Sequence, residues 1–168
     1  MKPAVFLDRD GVVNIDHGYV YLAKDIQWVR GIEDAIKYLN NNNYYVFVVT
    51  NQSGIARGYY NEDDVDNLHI WMTEYLENLG AHINKFYYAS YHPTAINEKH
   101  LTNRNLRKPN PGMIFKAFEE WDIDINNSFL VGDKDTDIQA ATNAGIDGYL
   151  FDGNDINSLI RSIVINKK

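Results

Sequence analysis

The sequence predicts an α/β protein: a central parallel sheet flanked by helices. Three observations carry that expectation. Strand and helix patterns alternate along the 168 residues. The strand candidates are short continuous apolar runs, as strands buried on both faces require. Most of them end in polar or charged side chains, at the edge where open α/β sheets bind their ligands.

Taken in order, Ala4–Leu7 reads as a fully buried strand. Gly31–Asn40 carries Ile32, Ala35, Ile36 and Leu39 at helical spacing. Four asparagines, 40–43, follow as a C-cap and turn. Tyr44–Val49 is β-branched and aromatic, hence a strand. Residues 61–79 read as a helix with Val65, Leu68, Trp71, Met72, Tyr75 and Leu76 on one side. Asn61 is its expected N-cap, and the acidic residues of its first turn complement the helix dipole. Phe86–Ala89 is a third strand, Gly112–Trp121 a helix, and Ser128–Val131 a fourth strand. A helix over Thr136–Ala144 is ended by Gly145; a strand Tyr149–Phe151 and a helix Ile156–Ile163 complete the series.

Composition narrows the function. Apolar residues make up 45% and charged residues 23%, ordinary for a globular chain. A net charge of −7 does not suit non-specific capture of nucleic acid or anionic membrane. Cysteine is absent, which excludes disulfides, Cys-ligated zinc, iron–sulfur clusters and thiol catalysis. The run Ala4–Leu7 is too short for a signal-peptide core or a membrane span. The expectation is a cytoplasmic, monomeric enzyme acting on a small molecule.

The strand ends carry the chemistry. The first ends in Asp8-Arg9-Asp10-Gly11; two carboxylates after a buried run call for a positive partner, and a divalent cation fits. The plainer alternative is an Asp-Gly turn. The second ends in Thr50-Asn51-Gln52-Ser53-Gly54, neutral donors suited to phosphate oxygens or to capping a helix. Lys108, after the third strand, precedes Pro109 and is either a fixed cation or part of a solvated basic pair with Arg107. The fourth ends in Gly132-Asp133-Lys134-Asp135-Thr136-Asp137. A calcium loop is excluded there because its glycine and terminal glutamate are missing. Together these groups supply a carboxylate nucleophile, a second carboxyl group, phosphate donors, a cation and a metal site: the needs of metal-assisted phosphoryl transfer.

Asp8-x-Asp10, Thr50, Lys108 and Gly132-Asp133 with Asp137 resemble, in order, the four motifs of the haloacid dehalogenase (HAD) superfamily of phosphatases. The resemblance runs from Ala4 to about Phe151. It implies a Rossmann-like HAD fold over 1–168 as one domain, with no separate cap domain, a short flap at about 12–28 and an insertion loop at about 91–106. More narrowly, Phe6–Gly11, Asp16–Val20, Asn51–Gly58 and Arg107–Gly112 resemble the heptose bisphosphate phosphatases and their histidinol-phosphate neighbours.

The resemblance implies that Asp8 is the nucleophile and Asp10 the acid/base, with Thr50 and Lys108 stabilising the transferring phosphoryl group. It implies Mg²⁺ held by Asp8, the Asp10 carbonyl and Asp133, and Asp137 as a loop-orienting residue. Arg9, Asp16, His17, Gly18, Tyr19, Asn51, Gln52, Ser53, Arg107 and Lys134 become the expected substrate contacts, with Arg107 on a distal phosphate. The implied reaction is removal of the 7-phosphate of D-glycero-D-manno-heptose 1,7-bisphosphate in heptose precursor biosynthesis. The alternatives are a histidinol-phosphate or other small-molecule phosphatase, or a non-catalytic phosphate-binding module.

One departure stands out. Family members carry zinc between the third strand and the Arg-Lys pair, on a Cys-x-His followed by a Cys-x-Cys. The matching positions here are Ala89, Tyr91, Arg104 and Leu106. No zinc is therefore expected. The loop is expected to be held by its own packing, through Tyr91, Ile96 and Leu101, with His92 and His100 as surface residues.

Overall fold

A computed structural model describes residues 1–167. Strands β1 (Ala4–Leu7), β2 (Tyr45–Asn51), β3 (Lys85–Ala89), β4 (Phe129–Gly132) and β5 (Asp147–Leu150) form one sheet. All pairs are parallel and the order is β3-β2-β1-β4-β5. The chain winds outward from β1 through β2 to β3, then crosses back to β4 on β1's other side. The strand order therefore switches between β1 and β4, which opens a crevice at their carboxyl ends.

The apolar runs are explained by burial on both faces. Val5, Leu7, Val46, Val48, Phe129 and Val131 pack in one core with α1 (Ile32–Asn41), α3 (Glu62–Asn78) and α6 (Ile156–Asn166). The alternate residues Ala4, Phe6, Phe47, Val49 and Leu130 pack in a second core with α4 (Gly112–Glu120) and α5 (Asp135–Ala144). Removing each large aliphatic side chain from water contributes about 1.5–3 kcal/mol. Asn61 caps α3 in a capping box with Asp64, and Gly145 ends α5 with a left-handed residue.

Three local features differ from, or add to, the sequence expectation. The fifth strand starts two residues earlier than expected, at Asp147, and ends before Phe151. It is an edge strand with exposed Asp147 and Leu150, so its apolar residues do not mark its bounds. The four-residue helix α2 (Ser53–Ala56) is too short for any periodicity to reveal. The insertion loop is not held by an apolar cluster: Ile96 is 78% exposed and Leu101 45%.

Polar contacts hold that loop instead. His100 is buried, not a surface residue, and its Nδ1 lies 3.0 Å from Ser90 Oγ. The Ile96 amide donates to the Ala56 carbonyl at 2.9 Å, and Lys99 pairs with Glu62 at 2.5 Å. Leu106 packs against the α4 side of the sheet.

Candidate active site

The end of β1 places Asp8 where the sheet switches direction. Its amide donates to the Val131 carbonyl of β4 at 3.0 Å, which extends the ladder one residue past the end of β1. Its carboxylate Oδ1 accepts from Lys108 Nζ at 2.7 Å. The same ammonium lies 2.5 Å from Asp137 Oδ1 and donates to the Val49 carbonyl at 2.8 Å. All three charged side chains are buried. Burial pushes the Asp8 carboxyl up to about 7, opposed by Lys108. Burial alone would lower the Lys108 ammonium, but its two carboxylate partners outweigh it and raise it. Lys108 is therefore a permanent cation.

Asp10 sits beside this pair in a frame of donors. Arg9 donates to it from Nε and Nη2 at 3.1–3.3 Å, Asn14 Nδ2 at 3.0 Å and Gln52 Nε2 at 3.1 Å. Gln52 Nε2 also donates to Thr50 Oγ1 at 2.9 Å, and Gln52 Oε1 accepts from the Tyr60 hydroxyl at 2.6 Å. The carboxylate plane of Asp10 is thus fixed before any ligand arrives.

These groups line a polar cavity of about 290 Å³. Asp8 and Asp10 come from the β1 end, Thr50, Asn51, Gln52 and Ser53 from the β2 end, and Lys108 from the loop before α4. The flap contributes Asp16, Gly18 and Tyr19, and the β4 end contributes Lys134, Thr136 and Asp137. The flap's base is closed by Ile15 N to Gln27 O at 2.7 Å and Val29 N to Val13 O at 3.0 Å. Lys134 lies 3.6 Å from Asp16, linking the flap to the β4 end.

Three residues expected as substrate contacts lie outside the lining of this cavity. Arg9 is fully buried; besides Asp10 its guanidinium serves the Val20 carbonyl at 2.5 Å and His69 Nε2 at 3.1 Å. It is a buried cation that positions Asp10, because a charge removed from water is held only where its donors are used. His17 is exposed and turned toward Gln27, 3.1 Å away, outside the cavity lining. Arg107 is half-buried and also outside that lining, its Nη1 on the Tyr91 carbonyl. It neighbours Arg57, whose Nη2 lies 3.1 Å from His92 Nε2. Burial and Arg57 both depress the Arg107 guanidinium.

Asn14, Tyr60 and His69 are participants that the sequence reading did not single out. His69 had a visible signal: it lies four residues after Val65, on the apolar face of α3. A polar residue there is buried by the period itself. Tyr60 offered none, because it reaches Gln52 only through the fold of α2.

The carboxylates fit a divalent cation. Oxygens of Asp8, Asp133 and Asp137 lie within 4.8 Å of one another. Lys108 pairs with Asp8 and Asp137 but leaves Asp133, whose buried Oδ1 has no hydrogen-bond partner. A hard oxygen-seeking cation such as Mg²⁺ would supply the missing charge. Gly11 makes the room: its φ is +98°, and a Cβ there would lie 2.2 Å from Asp133 Oδ2.

Comparison with known proteins gives the same direction. A family model described as HAD-hydrolase-like matches residues 105–155. The chain is 42% identical over 164 residues to the D-glycero-beta-D-manno-heptose-1,7-bisphosphate 7-phosphatase of Rhodopseudomonas palustris, covering 98% of this chain and 91% of that one. It is 43% identical to the alpha-anomer phosphatase of Burkholderia mallei, over 85% of this chain and 76% of that one. Its fold matches a crystal structure of D,D-heptose 1,7-bisphosphate phosphatase from B. bronchiseptica with magnesium and phosphate. There the TM-score is 0.84 and the identity 26%, covering 98% of this chain and 99% of the other. With a relative this similar along almost its whole length, the chain belongs to the HAD-like phosphatase family that includes the heptose-1,7-bisphosphate 7-phosphatases.

Proposed function

We propose that this protein is a Mg²⁺-dependent phosphatase that removes the 7-phosphate of D-glycero-D-manno-heptose 1,7-bisphosphate. The observation that carries the reading is the Asp8–Lys108 pair at 2.7 Å on the floor of a polar cavity, with Asp10 fixed beside it. The family and the names of its members point to the sugar bisphosphate.

In this reading Asp8 attacks phosphorus and forms an aspartyl-phosphate, while the bridging bond to the sugar oxygen breaks. Asp10 gives its proton to that oxygen, then takes one from the water that cleaves the aspartyl-phosphate. Lys108 and Thr50 face the developing phosphoryl charge. Mg²⁺, held by Asp8, the Asp10 carbonyl and Asp133, would supply positive charge against the two anions that must meet.

The flap residues Asp16, Gly18 and Tyr19 contact the sugar. Arg107 binds the distal phosphate. The support is electrostatic: Arg57 and Arg107 are half-buried neighbours without an ion-pair partner among the described residues, and the buried Arg57 Nε has no acceptor. An anion relieves that repulsion.

The test is a substrate panel with purified protein and Mg²⁺. Higher kcat/KM on the heptose bisphosphate than on histidinol phosphate supports the reading. The reverse order overturns the substrate.

A further inference from the structure

We propose that Gln52 is a positioning residue that locks the acid/base carboxylate of Asp10 to the phosphate-binding hydroxyl of Thr50, with its own amide oxygen anchored by Tyr60. The inference rests on the phosphatase reading above.

Hydrogen-bond valence fixes the arrangement. Gln52 is 2% exposed, so its amide must be satisfied internally. The Asp10 oxygen that faces Gln52 accepts, so the amide nitrogen is turned to it. That nitrogen has two hydrogens: one goes to Asp10 Oδ2 at 3.1 Å, the other to Thr50 Oγ1 at 2.9 Å. Thr50 therefore accepts from Gln52, which leaves its own hydrogen free to donate into the cavity. That is the polarity a phosphoryl oxygen needs.

The amide oxygen is then committed to Tyr60, whose hydroxyl must donate at 2.6 Å. Burial pushes the Tyr60 phenol up to about 12, so the proton stays available. The Tyr60 ring stacks on Tyr21 of the flap, with centroids 4.9 Å apart and planes within 19°. Gly54 admits that ring, since a Cβ there would lie 2.3 Å from it. A flipped amide would turn its oxygen on Asp10 and its nitrogen on Tyr60. Asp10 thus selects the orientation in which acid and phosphate donor are aligned, and the flap's packing on Tyr60 holds the amide oxygen in it.

A role in positioning the acid differs from a role in packing in one readout. An alkyl leaving group needs a proton from Asp10, whereas p-nitrophenolate leaves without one. kcat/KM reports the steps up to leaving-group departure. Wild type, Gln52→Leu and Tyr60→Phe are compared on a sugar phosphate and on p-nitrophenyl phosphate, both with Mg²⁺. Gln52→Leu is expected to lose about 100-fold in kcat/KM on the sugar phosphate and less than about tenfold on the aryl ester. Tyr60→Phe keeps the ring stack and shifts the same ratio by a smaller factor, so it carries the test should Gln52→Leu fail to fold. Equal losses on both esters overturn the inference. A wild type that hydrolyses neither ester overturns the phosphatase reading and this inference with it.

Discussion

Asn51 and Lys108 hold each other through a reciprocal pair. Asn51 Nδ2 donates to the Lys108 carbonyl at 3.1 Å, and the Lys108 amide donates to Asn51 Oδ1 at 3.0 Å. The end of β2 thereby fixes the backbone that carries the cation, 57 residues further on. Asn51→Ala leaves two main-chain groups unpaired, at about 1–3 kcal/mol. Urea unfolding should show a lower midpoint with an unchanged slope. Phosphate release should fall as well, because the ammonium is no longer held beside Asp8.

The Asp8–Lys108–Asp137 cluster makes a sharper stability prediction. Lys108→Met leaves two buried carboxylates facing each other and is expected to cost about 3–5 kcal/mol. Adding Asp137→Asn removes one of those charges and should recover part of the loss. A double-mutant cycle by chemical denaturation reads the coupling; additive losses would show that Asp137 and Lys108 are independent.

His69 makes stability depend on pH. Its Nε2 accepts from Arg9 Nη1 and its ring stacks on Phe86 with centroids 4.2 Å apart. Burial, then Arg9, hold it well below the ordinary imidazole range, so it stays neutral when folded. The unfolded chain takes up a proton below about pH 6.5 that the folded chain does not. Stability therefore rises with pH through this group and falls on acidification, by at most about 1.4 kcal/mol per pH unit. Thermal melts between pH 7 and pH 5 should fall more steeply for wild type than for His69→Gln, which keeps an acceptor for Arg9 but cannot titrate.

Gly11→Ala tests the proposed metal site without replacing a proposed ligand. The added Cβ meets the Asp133 carboxylate and requires a left-handed backbone. The Mg²⁺ concentration for half-maximal activity should rise by about 10–100-fold. An unchanged Mg²⁺ requirement would show that Asp133 does not serve the metal.

Much of this was legible in the sequence, for stated physical reasons. Strands buried on both faces must be apolar throughout, so β1, β2 and β4 stood out, and polar groups at their ends marked the crevice. Edge strand β5 lacks that constraint, and its bounds slipped. Asp8, Thr50 and Lys108 were readable because each directly follows an apolar run or precedes a proline, and Asp10 because it stands two residues after Asp8 at the same strand end. Arg9 was expected as a substrate contact only through the family resemblance, whereas its side chain is buried and turns back to Val20 and His69. The roles of Asn14, Gln52 and Tyr60 arise from contacts across 42 and 8 residues, or within a tight turn, and no local pattern encodes them. The insertion loop misled for the opposite reason. Ile96 and Leu101 are exposed, and His100 is the residue that is buried.

The central claim is that Asp8 is the group that attacks phosphorus in a Mg²⁺-dependent hydrolysis. The most direct measurement is phosphate release from heptose bisphosphate by wild type and Asp8→Asn, each with Mg²⁺ and with a chelator, after confirming that both are folded. The account predicts release by wild type with Mg²⁺ alone, and none by Asp8→Asn under either condition. Release by folded Asp8→Asn at a rate near wild type would contradict it.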